Sequence, residues 1–196
     1  MPTGWAIAAS IVIGYLIGSV PFGVVIPRQR GIDIMQTGTK NPGAANVYRR
    51  VGRMLGVIVG LCDGAKGAVA VAIAHWGFGL NPGFSIAAGA AAVLGHWHSV
   101  FLRFKGGAGL ATAVGVAFVL FPIEGIVGVS LTLVLMKFTK NTGRSALVGY
   151  AAALVAGVLL HHSVLSLLCA IGVGVVVSAR ALIKDYRAAR KARASA

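Results

Sequence analysis

The sequence is short of acid. Against 18 Lys and Arg it has 4 Asp and Glu, and charged residues of both signs make up only 11% of its 196 residues, where soluble domains carry roughly 25%. A water-exposed surface cannot be built from that inventory, which excludes an ordinary cytosolic enzyme, and the 57% of hydrophobic residues excludes a disordered chain. There are two cysteines, Cys62 and Cys169, each inside an apolar run and without CxxC spacing. They read as packing residues and exclude a disulfide framework or a thiolate metal site. No basic stretch is interleaved with aromatics or carries a groove-reading motif, so the net charge of +14 does not point to nucleic acid. The first positive charge is Arg28; without a basic region ahead of it, the first apolar run is expected to stay in the protein rather than be cleaved.

What is present is apolar and segmented. Runs bounded by charge or turn residues lie near Gly4 to Ile26, Met54 to Trp76, Pro82 to Leu102, Gly106 to Phe121, Ile123 to Met136, Ala146 to Leu160 and Val164 to Ala179. A spanning helix needs about 20 apolar residues; the last four runs fall short and need polar flanks or a locally thinner bilayer. The pattern predicts an all-α, polytopic membrane bundle of seven helices. The alternative is five spans with a re-entrant pair around Pro122. Every Lys and Arg except Lys66 falls in alternate loops: between spans 1 and 2, 3 and 4, 5 and 6, and after span 7. Cytoplasmic loops collect cations, so the N-terminus is expected outside and the C-terminus in the cytoplasm. Residues 1–183 form the membrane-embedded domain in this reading, and 184–196 form a basic tail near anionic lipid. Glycines at GxxxG spacing, Gly14/Gly18 and Gly56/Gly60/Gly64, suit close helix packing.

Polar residues are costly in a membrane, so the few that occur are informative. Three groups gather on the cytoplasmic side. The loop Gly38-Thr39-Lys40-Asn41-Pro42-Gly43 leads to Asn46, Arg49 and Arg50. Its glycines and proline break regular structure and expose N–H groups, while the hydroxyl and cations supply donors for an oxyanion. The plainer reading is a cation-rich loop with turn residues. Asn46 and Arg49 share a face if a helix starts near Ala44. The second group is Asp63 and Lys66, three apart within span 2 and able to pair. The third runs from His96 through Lys105, Gly106, Gly107 and Gly109 to Thr112. Lys105 ahead of GGxG at a helix start reads as an anion nest. His96 and His98 have no carboxylate at ligand spacing, so no metal is expected. Ser145, in a smaller basic loop from Lys137, is either another lining residue or simply solvated.

GSVPFG at Gly18 to Gly23, the GTKNPGAANVYRRVG loop, DGAKG at Asp63 to Gly67 and GHWHSVFLRFKGGAGLAT at Gly95 to Thr112 together resemble the PlsY family of bacterial acyl-phosphate:glycerol-3-phosphate acyltransferases. The resemblance runs from about Gly18 to Thr112. It implies a seven-helix enzyme of the bacterial cytoplasmic membrane with its site on the cytoplasmic face. It also implies acyl transfer from acyl phosphate to the 1-hydroxyl of sn-glycerol 3-phosphate, giving lysophosphatidic acid for phospholipid synthesis, with no cofactor. Under it Thr39, Arg49, Lys105 and His96 are the catalytic set. Gly38, Lys40, Asn41, Gly43, Asn46, Asp63, Lys66, Gly106, Gly107, Gly109, Thr112 and Ser145 bind substrate. The GGxG turn would hold the acyl phosphate; Thr39, Arg49 and Lys105 would hold the glycerol phosphate.

The chain departs from the family pattern in three places. Thr39 and Lys40 stand for serine and glycine, Ala108 stands for a lysine in GGKG, and the histidine and asparagine expected just after span 7 are replaced by Val177 to Lys184. Those departures motivate one alternative, a paralogue that binds an anionic lipid or phosphate without catalysis; a second is a small anionic-solute transporter. The latter needs polar residues in the outer half, where the sequence offers little beyond Glu124, His161 and His162. An acyl phosphate is already activated, so the protein has mainly to position two anions and offset charge on the leaving phosphate. A phosphate of the substrate, rather than His96, is expected to take the proton. The acyl-chain preference and oligomeric state are left open.

Overall fold

The computed structural model describes residues 4–139, 141–160, 174–177, 179, 180, 182, 183 and 186, and those in regular structure are helical, with no strand among them. The chain divides into two compact units, Met1–Leu120 and Phe121–Ala196. Among the described residues, three stretches are long and apolar enough to cross a membrane: Gly4–Arg28, Arg53–Gly77 and Pro122–Thr139. The seventh apolar run and the basic tail lie largely outside the described residues.

In the first unit, the expected first span is two helices, α1 (Gly4–Ser19) and α2 (Phe22–Arg28). The break falls at Val20-Pro21 because proline has no N–H to continue the ladder and disfavours a helical residue before it. After a short helix α3 (Ala44–Arg50), α4 (Arg53–Ala72) runs on through a π turn at Ile73–Gly77. The next helix, α5 (Pro82–Trp97), starts with proline in its first turn and Asn81 as its cap, Asn81 Oδ1 accepting from Phe84 N at 3.1 Å. The last helix of this unit, α6, spans Leu110–Leu120. It begins four residues later than the expected Gly106, because Gly109 turns the backbone to φ +85°.

Small residues set the packing. A Cβ on Gly14 or Gly18 would run into the carbonyls of Ala88 or Ala92, so α1 lies directly against α5. Likewise, α4 packs along α6. Ile34, Val47 and Val59, all fully buried, join the segment after α2 to α3 and α4, while Ala6, Ala74, Leu80 and Ala88 close the end remote from the α1 break. Large apolar side chains such as Val12, Leu61 and Val69 are exposed on the outside, as a lipid-facing surface requires.

In the second unit, α7 (Pro122–Thr139) packs along α8 (Thr142–Leu159), with Gly128 and Gly149 back to back at the contact. Asn141 caps α8, its Oδ1 accepting from Arg144 N at 2.9 Å.

Candidate active site

The first unit carries a narrow cleft where α1 breaks. Its walls come from Gly18 to Pro21 and Gly23, from Pro42, from Asp63 and Lys66 on α4, and from His96, Ser99, Leu102, Gly106 and Gly107. The cleft has room for about one water molecule. All four sequence blocks singled out above thus reach it, the loop from Gly38 through Pro42.

That loop is organised by Asn46. α3 begins at Ala44 with Gly43 as an extended N-cap residue, as the spacing argument required. Asn46, only 2% exposed, donates Nδ2 to the carbonyls of Thr37 and Asn41, both at 3.0 Å, and accepts from Thr39 N at 3.1 Å. Its amide holds the loop at three points. Gly38 and Lys40 both adopt left-handed backbone, at φ +59° and +55°. Glycine takes that region freely, whereas lysine pays a steric penalty. Thr39, Lys40 and Arg49 are exposed, on the outer side of the clamp. Asn41 Oδ1 is buried without a hydrogen-bond partner among the described residues.

The second loop, Ser99 to Gly109, folds back beneath α5. Ser99 and Lys105 form an isolated bridge, Phe104 N donates to Ser99 O at 2.8 Å, and Arg103 and Phe104 are both left-handed. Gly107 N donates to His96 O at 3.1 Å and Trp97 Nε1 donates to Ala108 O at 2.7 Å. The expected nest at a helix start is therefore corrected in two ways. The turn lies ahead of the helix, and Gly107 N–H is already committed to His96. A Cβ on Gly107 would collide with His96 Nε2, and one on Gly109 with Trp97 Nε1, so the turn is moulded on these two rings. Lys105 is exposed above it.

Beneath both loops are Asp63 and Lys66. Lys66 Nζ lies 2.8 Å from Asp63 Oδ1, a contact that is ionic rather than a well-directed hydrogen bond, and donates to Val20 O at 3.0 Å. Asp63 Oδ1 is also 3.6 Å from His96 Nδ1. Ser99 Oγ donates to Ser19 O at 2.5 Å. Thr112 is buried elsewhere, where α6 packs on Gly67 of α4. Ser145 belongs to the second unit, with its Oγ 2.7 Å from Thr139 Oγ1. Sequence reasoning missed Ser19, Ser99 and Trp97 as builders of the site. The two serines were visible as hydroxyls in apolar runs, whereas nothing local marks the indole.

A family model described as Glycerol-3-phosphate acyltransferase matches residues 8–189. The chain is 42% identical over 149 residues to the Glycerol-3-phosphate acyltransferase of Rhizobium meliloti, covering 76% of this chain and 72% of that protein. It is 36% identical over 177 residues to that of Geobacter sulfurreducens, covering 89% and 91%. Among solved structures it is similar to PlsY (YgiH), described as an integral membrane glycerol 3-phosphate acyltransferase. The glycerol 3-phosphate form gives a TM-score of 0.84 at 32% identity, over 94% of this chain and 92% of that one. The lysophosphatidic acid form gives 0.81 at 33%, over 90% and 88%.

Proposed function

This chain belongs to the glycerol-3-phosphate acyltransferase family, and from that premise we propose how its cleft works. It is a membrane acyltransferase of phospholipid synthesis. In the proposed reaction the donor is an acyl phosphate and the acceptor is sn-glycerol 3-phosphate. The acceptor's 1-hydroxyl oxygen bonds to the acyl carbon, the bond from that carbon to the phosphate oxygen breaks, and lysophosphatidic acid and inorganic phosphate leave.

The observation that carries this reading is the meeting of two glycine-rich loops at one cleft, each with exposed cations or hydroxyls on its outer side. Two anionic substrates must be held side by side, and two adjoining loops with Thr39, Lys40 and Arg49 on one and Lys105 on the other supply that. In the proposal, the Gly106-Gly107 turn takes the donor phosphate and Thr39 with Arg49 and Lys105 takes the acceptor phosphate. His96 has its Nδ1 toward Asp63 and its Nε2 against Gly107, which supports a part in building the turn. The hydroxyl proton then goes to a substrate phosphate. The charge pattern supports seven spans in a bacterial cytoplasmic membrane, the N-terminus outside and the loops on the cytoplasmic face.

Purified protein in detergent, given palmitoyl phosphate, is expected to release phosphate only when glycerol 3-phosphate is added, and Arg49→Ala is expected to lose that release. Release that ignores the acceptor, or an Arg49→Ala protein as active as wild type, would overturn the assignment of donor and loops.

A further inference from the structure

Three titratable side chains from two helices touch one another at the floor of the cleft, and the loops above them do not explain why two are charged. Asp63 and Lys66 are 2% and 5% exposed. They lie three residues apart on one helix, so their mutual contact joins no two elements. A buried ion pair is commonly no more stabilising than apolar residues of the same shape. Both side chains line the floor of the same cleft as the Gly106-Gly107 turn.

Their outward contacts do join elements. Lys66 donates to Val20 O, the carbonyl exposed where Pro21 interrupts α1, and a cation there also faces the negative end of the helix dipole. Immediately beyond the break, Gly23 on α2 lies against the carbonyl of Pro42, so closely that a Cβ would collide with it. On the other side, Asp63 faces His96 Nδ1. His96 holds Gly107 twice, through its carbonyl at 3.1 Å and through the imidazole edge that fills the space of the missing Cβ.

We propose that Asp63 and Lys66 are positioning residues for acyl transfer. Asp63 fixes His96 and through it the Gly106-Gly107 turn; Lys66 fixes the Val20 end of α1 and through it the Pro42 wall. The pair sets the separation of the two loops. This rests on the reading above that the Gly106-Gly107 turn holds the donor phosphate.

The test uses the full-length enzyme with palmitoyl phosphate and glycerol 3-phosphate. Asp63→Asn combined with Lys66→Met removes both charges at similar shape and leaves no unpaired ion. It is expected to raise KM for palmitoyl phosphate about tenfold, with kcat changed much less, which is the signature of weakened binding rather than of a smaller folded fraction. His96→Gln alone is expected to do the same, and adding the Asp63 and Lys66 changes to it should raise KM no further, because residues acting through one another are not additive. His96→Gln also keeps the proposal testable if the charge-free protein does not fold. An unchanged KM in His96→Gln, or additive effects in the combined variant, overturns the proposal. Gly107→Ala alters the turn directly and separates the two failures. If it leaves KM for palmitoyl phosphate unchanged, the donor-site reading fails; if it raises KM while the charge-free protein does not, only the positioning role fails.

Discussion

The stretch from Thr37 to Asn41 ahead of α3 takes its side-chain hydrogen bonds to the helix from one residue, whereas the loop ahead of α6 is held by several groups at the end of the helix it follows. In the first, Asn46 makes three hydrogen bonds to three different residues from a fully buried amide. In the second, the carbonyl of His96, its ring, the Trp97 indole and the Ser99 backbone share the task. A clamp of one residue gives tight geometry from little sequence and fails all at once. A distributed scaffold tolerates loss of any one contact. The exposed cations belong to both loops, so the difference concerns how each is supported rather than what it presents.

Asn46→Ala tests the concentrated clamp and should have the largest effect. Three hydrogen bonds at roughly 1 kcal/mol each give a stability loss of about 3 kcal/mol, and a loop displaced by about an ångström should cut phosphate release about a hundredfold. Thermal unfolding in detergent and acceptor-dependent phosphate release read both. Trp97→Phe tests the distributed scaffold: the ring remains, one hydrogen bond is lost, and stability should fall by about 1 kcal/mol with activity within a few-fold of wild type. If Trp97→Phe is as damaging as Asn46→Ala, the contrast between the loops is wrong. Lys40→Gly sharpens it at the smallest scale. Relief of about 1–2 kcal/mol of left-handed strain outweighs glycine's entropy cost of about 0.5–1 kcal/mol, so the variant should be slightly more stable. Its release activity should become less sensitive to salt as one exposed cation is removed.

Much of this could be read from the sequence, and for identifiable reasons. Apolar runs mark α1, α4, α5, α7 and α8 because length and hydropathy are local properties. The start of α3 at Ala44 entered only as the condition for Asn46 and Arg49 to share a face, and the structure meets it. The late start of α6 was not legible, because glycines are as apolar as the helix they precede and only the dihedral at Gly109 separates them. Asp63 and Lys66 could be paired by their spacing, but the link from Asp63 to His96 joins two helices and no local pattern encodes it. Asn46 was picked out as a substrate-binding residue from its place in the loop. Its hydrogen bond from Thr39 N depends on a fold-back of the chain that composition cannot express. The division at Leu120 was signalled only by Pro122.

The interruption of α1 has a consequence for biosynthesis. The chain emerges N-terminus first, and the carbonyls at the broken end, Val20 and Ser19, receive their side-chain donors from 46 and 80 residues later, at Lys66 and Ser99. Until then Val20 O has only its local donor, Phe22 N at 3.2 Å, and Ser19 O lacks the Ser99 hydroxyl, a state that hydrocarbon tolerates poorly. The first hairpin therefore cannot reach its final form during its own insertion. It must wait at a water-accessible depth until the second and third long helices arrive, and a nascent chain stalled before Ser99 would present an unfinished break to the quality-control proteases of the membrane.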